Sequence, residues 1–201
     1  MRIFIALDIP DKIRQRIERF VEGVRNFAPD ARWVRPESLH VTLKFIGENN
    51  PESVEKIKQV LSSIHSNSID LHFRGYGFFP TAKTARVFWA GIESGQELAA
   101  LANKVDEATT SLGIPKEDHP FSPHLTLARA GRDSGAPKWQ KTDGLNKRFV
   151  KLQDKLAALP SPEFGTMTPR EFFLYESQLL RGGSRYTKIA RFALNSGNIN
   201  L

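Results

Sequence analysis

Histidine and threonine recur at one short spacing in two places: His40 and Thr42 in RPESLHVTLKF (35–45), and His124 and Thr126 in HPFSPHLTLAR (119–129), 84 positions further on. Each pair follows Pro-x-Ser-x, and each histidine and threonine is followed by an apolar residue: Val41 and Leu43, then Leu125 and Leu127. Residues two apart in an extended strand project from the same face, so each motif would show an imidazole and a hydroxyl on one side and anchor itself with apolar residues on the other. Two facing imidazoles suit a reaction in which one proton leaves a nucleophile and another reaches a leaving group, because histidine titrates near neutral pH. Two hydroxyls between them can donate to the non-bridging oxygens of a phosphate as charge builds there. The pattern reads as phosphodiester chemistry without a metal.

Other readings of the same residues are weaker. A single His-x-Thr carries little information, but two copies with the same flanks argue against a pair of unrelated structural histidines. A zinc site takes three or four protein ligands, and the sequence offers no HExxH, no cysteine and no nearby carboxylate pair to complete one, so neither metal nor cofactor is expected. Ser38 and Ser122 read as residues that turn the chain into each strand rather than as nucleophiles. His65 falls near a helix C-terminus, where a cation is favourable, and His72 and His119 have no partner motif.

The elements that would position these groups are legible from periodicity. Apolar residues three and four apart predict a helix in DKIRQRIERFVEGVRNF through Ile13, Ile17, Phe20, Val21 and Val24. A second helix is predicted after the cap Asn50 and Pro51, through Val54, Ile57, Leu61 and Ile64. A third should span Gln96 to Leu112, ended by Gly113 and Pro115, and a fourth should follow Leu145, Phe149, Leu152, Leu156 and Leu159. Between them RIFIALD, HVTLKFIG, LHFRGYGFF, ARVFWAGI, HLTLARA, REFFLYESQ and RYTKIARFAL read as strands. The order strand, helix, motif strand, strand occurs in each half. An α+β, bilobal, duplicated fold is therefore expected, with two antiparallel sheets flanking a central cleft and helices on their outer faces.

Composition sets limits on what else the chain does. It has 201 residues, 40% apolar and 25% charged, with no cysteine, which excludes disulfides and thiol chemistry and suits a reducing cytoplasm. The N-terminus MRIFIALDIP reads as a first strand rather than a signal peptide, and no stretch is long and apolar enough to span a membrane. A formal charge of +7 favours polyanionic partners. Part of the excess lies in KWQKTDGLNKRFVKLQDK, inside a segment at about 130–168 that is rich in Gly, Pro, Lys and Ser and is expected to be a surface insertion within a single domain, 1–201.

HVTL and HLTL resemble the paired H-x-T-x signatures of the two-histidine (2H) phosphoesterase superfamily. With MRIFIALDIP, ARWVRPESLHVTLKFIGE, ARVFWAGI, PFSPHLTLARA, FFLYESQL and GSRYTKIARFAL, the chain is similar to the RNA 2′,3′-cyclic phosphodiesterases once called 2′-5′ RNA ligases, along almost its whole length. The resemblance implies hydrolysis of an RNA or nucleoside 2′,3′-cyclic phosphate to a 2′-phosphate, with the reverse ligation as the alternative at the same site. A protein that binds nucleotide or RNA without turnover is the alternative from a different class. The resemblance further implies His40 as proton donor to the departing 3′ oxygen, His124 as proton acceptor from water, and Thr42 and Thr126 on the phosphate. Arg129 would add a cation, although strict alternation puts it on the face opposite His124 unless a bulge intervenes. Phe45, at the matching place after the first motif, could stack a base. Phe78, Phe79, Arg86, Tyr186 and Lys188 are secondary candidates. The expected partners are RNA or nucleotides with 2′,3′-cyclic phosphate ends, the expected state a monomer in the cytoplasm.

Overall fold

The computed structural model of the protein describes residues 1–131, 147–180 and 183–194. Helix α1 (Asp11–Val24) buries Ile13, Ile17 and Val24, and a 3-10 turn at Arg25–Phe27 extends it. In α2 (Pro51–Ser62) the Asn50 side chain accepts from the Ser53 N–H at 2.8 Å, the N-cap bond that Asn-Pro leads one to expect. Helix α3 (Gln96–Thr110) stops short of Gly113, whose φ of +84° suits glycine. Helix α4 (Val150–Ala157) follows a 3-10 turn at Lys147–Phe149, and the start of its predicted stripe at Leu145 lies outside the described residues.

Among the described residues nine strands form two antiparallel sheets, so the chain is α+β as expected. The first sheet holds β3 (His40–Glu48), β1 (Arg2–Asp8), β8 (Glu171–Leu180) and β9 (Gly183–Ala193), in that order. The second holds β2 (Ala31–Trp33), β6 (His124–Ala130), β5 (Val87–Ser94), β4 (Leu71–Phe79) and β7 (Glu163–Met167). The halves of the sequence are not the two sheets. Strand β4, which follows the first motif, crosses to the second sheet, and β8, which follows the second motif, crosses to the first. Each sheet thus has a central strand, β1 or β5, between its own motif strand and a strand lent by the other half.

That exchange ties the two sides together. Residues from both sheets and from α1, α2, α3 and α4 share one apolar core, with Ile5, Leu7, Val41, Phe73, Phe88, Leu101, Leu125 and Leu152 each at most 1% exposed. The cleft face of the first sheet carries a separate, small cluster of Phe4, Ala6, Phe173 and Tyr175, against which Tyr186 packs. Strand β1 is buried on both faces because it lies between these two clusters. Gly77 on β4 lies under the Trp89 indole of β5, where any Cβ would collide with the ring.

The segment expected to be a surface insertion, about 130–168, packs apolar residues into the fold in its described part. Phe149, Leu152, Leu156 and Phe164 are at most 2% exposed, and β7 pairs with β4 as a strand of the second sheet. Its basic residues Lys138 and Lys141 lie outside the described residues. Among the described residues no helix is long and apolar enough to cross a membrane.

Candidate active site

Both motifs form strands, and the two strands lie against each other across the cleft. On β3, His40 and Thr42 are half-buried while Val41 and Leu43 are buried; on β6, His124 and Thr126 are half-buried while Leu125 and Leu127 are buried. The alternation is the one the sequence predicts. It then breaks at the same place in both strands.

Thr42 pairs with Ala6 and Lys44 with Ile5, which leaves Leu43 without a partner; Thr126 pairs with Trp89 and Ala128 with Phe88, which leaves Leu127 without one. An extra residue of this kind reverses which way later side chains point. Leu43 and Lys44 therefore both face inward, 5% and 2% exposed, and Phe45 comes back to the cleft at 51% exposure. On β6, Leu127 and Ala128 both face inward and Arg129 returns to the face of His124. The bulge that Arg129 needed is present, with a twin on the other motif.

Each imidazole is held in the same way. His40 Nδ1 lies 2.8 Å from the Ser38 carbonyl oxygen, and His124 Nδ1 lies 2.8 Å from the Ser122 carbonyl oxygen. A carbonyl only accepts, so Nδ1 carries the proton in both rings and Nε2 is the nitrogen left for proton transfer in the neutral state. The serines ahead of the motifs thus serve through their backbone oxygens, a role hidden in their shared Ser-x-His spacing.

The surroundings of the rings differ. Phe4 (centroids 4.7 Å), Tyr186 (5.1 Å, edge-on) and Tyr175 (6.2 Å) enclose His40. Phe79 (5.0 Å, edge-on) and Trp89 (6.4 Å) line His124. Burial drives the pKa of His40 down from 6.5 to about 4; the Ser38 bond opposes this, the Arg129 cation adds to it, Asp8 opposes it and His124 adds to it. Burial also lowers His124, with the Ser122 bond opposing and Arg129 adding. Arg129 and His124 reach His40 from β6 and Asp8 from β1, so the second motif's imidazole and guanidinium share its cleft.

Arg129 is itself pushed down by burial, with Tyr186 opposing and Arg32 adding. Arg32 stands directly across from it on β2. Neither has a carboxylate ion-pair partner among the described residues, so two half-buried guanidiniums share one face, an arrangement that an anion would relieve. Arg32 was not recognisable from the sequence, because β2 is only three residues long. Asp8, which faces His40 across β1 and β3, holds Arg14 at 2.9 Å and Lys188 at 2.5 Å. Arg14 also donates to the Ile9 carbonyl at 3.0 Å and to the Pro36 carbonyl, which fixes the turn entering His40.

Of the secondary candidates, Tyr186, Phe79 and Lys188 are thus at the site or one contact from it. Phe78 packs into the core against Phe88 and Phe149, and Arg86 is joined through its backbone to Phe79 and Ala130. His72 is bonded to Glu163 at 2.7 Å on β7, and the His65 carbonyl receives Lys104. Among the described residues no group of three or more His, Cys, Asp or Glu is placed to hold a metal ion.

The lowered histidines give the cleft a signed pH response. A doubly charged anion between the rings favours their protonated forms, so its binding takes up a proton between the free and bound pKa values, and affinity rises as pH falls. Sulfate, whose own charge is constant there, should bind up to roughly tenfold tighter per pH unit between about pH 7 and 5, the side of the window above the lowered His40 value, by isothermal calorimetry. In His40→Ala the slope should fall. A flat profile in the wild type would show that neither ring faces the anion.

The family model described as LigT like phosphoesterase matches residues 7–89 and 91–186. Among curated relatives, the RNA 2′,3′-cyclic phosphodiesterase of Archaeoglobus fulgidus is 31% identical over 192 residues, covering 96% of this chain and 99% of that one. That of Methanocaldococcus jannaschii is 32% identical over 189 residues, covering 94% and 98%. Among solved structures, Escherichia coli LigT complexed with 3′-AMP superposes with a TM-score of 0.75 at 28% identity, covering 97% of this chain and 98% of that one.

Proposed function

Since the chain belongs to the LigT-like phosphoesterase family and is an enzyme of that kind, we propose that it opens 2′,3′-cyclic phosphates at RNA or nucleotide ends to 2′-phosphates by acid and base catalysis from its two histidines, without a metal. The carrying observation is the matched tethering of the imidazoles: each Nδ1 is bound to a carbonyl two residues back, which leaves each Nε2 for the cleft. The names of the curated relatives support the reaction class.

In this reading water attacks phosphorus while His124 Nε2 takes its proton. The bond from phosphorus to the 3′ oxygen breaks, and His40 gives that oxygen its proton. Thr42 and Thr126 donate to the non-bridging oxygens, and Arg129, with Arg32 beside it, offsets their growing charge. Phe45, exposed and 5.9 Å from the Phe4 ring, offers a face on which a base stacks. The pKa of about 4 at His40 means that it donates only after the phosphate has brought negative charge to it. The same reading expects a monomer in a reducing cytoplasm, a compartment that the absence of cysteine suits.

Phosphorus NMR of the product from a 2′,3′-cyclic nucleotide tests the reaction. A 2′-phosphomonoester is expected; a 3′-phosphomonoester, or binding without turnover, would overturn it. Joining of the cyclic end to a 5′-hydroxyl RNA in place of hydrolysis would favour the ligase.

A further inference from the structure

A cavity of about 440 Å³ opens beside His40, and neither Thr42 nor Phe45 lines it. The 3-10 turn before β3 supplies Glu37 and Ser38 to its wall, β1 supplies Asp8, and β9 supplies Arg185, Tyr186 and Lys188. Tyr186, edge-on to His40, lines the cavity together with that ring. The volume is of the size that holds a small ligand, and the lining carries charges of both signs.

The cations of this wall are not equivalent. Arg14 is taken up by Asp8 and the turn carbonyls, and Lys188 by Asp8 and the Phe173 ring 4.1 Å from its ammonium. Arg185 is exposed and has no ion-pair partner among the described residues. Arg185 lines the same cavity as His40, the ring assigned to the leaving 3′ oxygen, and C3′ of the ribose adjoins C4′, from which the chain continues, so that continuation lies on the His40 side of the phosphate. The departing oxygen belongs to the terminal ribose, and the chain leaves that ribose through its 5′ oxygen to the preceding phosphodiester.

We infer that this cavity is a subsite for the nucleotide immediately 5′ of the cyclic phosphate, with Arg185 on the phosphodiester that joins it to the terminal nucleoside. The inference rests on the hydrolase reading above and sharpens its substrate from a nucleotide to an oligonucleotide end. An exposed guanidinium on a phosphodiester contributes binding that is equal in ground and transition states, so its loss raises KM and leaves kcat in place.

The test compares 2′,3′-cyclic AMP with the dinucleotide ApA ending in a 2′,3′-cyclic phosphate, on wild type, Arg185→Ala and Arg185→Lys. Wild type should prefer the dinucleotide by roughly tenfold in kcat/KM, the size of one charge-assisted bond. Arg185→Ala should abolish that preference through KM, with cyclic AMP turnover within about twofold of wild type, and Arg185→Lys should keep part of it. Equal losses on both substrates would overturn the subsite, because the terminal nucleotide itself would then occupy the cavity. Full preference in Arg185→Ala would overturn it as well. If wild type turned over neither substrate, the hydrolase reading would fall and take the subsite with it; turnover of cyclic AMP without a preference would sink the subsite alone.

Discussion

Alanine in place of His40 or His124 lowers kcat for a 2′,3′-cyclic nucleotide by roughly 10²- to 10⁴-fold, the range of one positioned proton-transfer group. KM should change much less, since Thr42, Thr126, Arg129 and Arg32, the proposed phosphate ligands, remain. The double variant falls hardly further than the worse single one, because acid and base act on the same transition state. Folding is not the cause of the loss: each ring is half-buried at the cleft, and its apolar neighbours in the strand hold the core. The two roles separate on an aryl phosphodiester such as bis(4-nitrophenyl) phosphate, whose leaving group needs no proton. With His40 as donor, the His40→Ala variant recovers most of its rate on that substrate and His124→Ala does not; the opposite pattern exchanges the roles.

The largest effect on stability is expected at Lys44. Its ammonium is bonded to the Asp106 carboxylate of α3 and to the Pro115 carbonyl at 3.0 Å, and the Glu117 N–H donates to Asp106 at 3.2 Å. Lys44 is 2% exposed and Asp106 8%. Removing one partner leaves the other charge buried without compensation, which costs about 3–5 kcal/mol. Lys44→Ala and Asp106→Ala should each show that loss in urea denaturation. Replacing both at once, by Met and Leu, should recover most of it, because a buried ion pair is often no more stable than apolar residues of its size. The pair also joins the His40 strand to the segment that leads into the His124 strand, so the single variants should lose activity as well as stability.

Lys44 shows where the sequence was readable and where it was not. Alternation alone puts it beside His40 and Thr42 as one more phosphate ligand, and only the extra residue at Leu43 turns it into the core. No residue type announces that bulge: Leu43 and Leu127 read as ordinary apolar strand residues. The same shift was foreseeable at Arg129, because there the resemblance demanded a cleft position that alternation denied.

The seven longer strands were legible from their aromatic and β-branched content, and the helices from their apolar stripes. Strand β2 was not, being three residues long, and β7, EFGTM, lies in a segment whose Gly, Pro and Lys content reads as surface. The exchange of β4 and β8 between the sheets leaves no trace in element order, since a strand pattern tells which face is apolar and not which neighbour it joins. The tyrosines around His40 are equally distant in sequence: Tyr175 and Tyr186 lie on β8 and β9, more than a hundred positions from the ring they enclose.

Steady-state hydrolysis of a 2′,3′-cyclic nucleotide in excess chelator, by wild type, His40→Ala and His124→Ala side by side, tests the paired-histidine account most directly. The account predicts that chelator leaves the wild-type rate unchanged and that each variant falls by at least about 100-fold. Wild-type activity abolished by the chelator and restored by a divalent metal, or a histidine variant turning over at the wild-type rate, would contradict it.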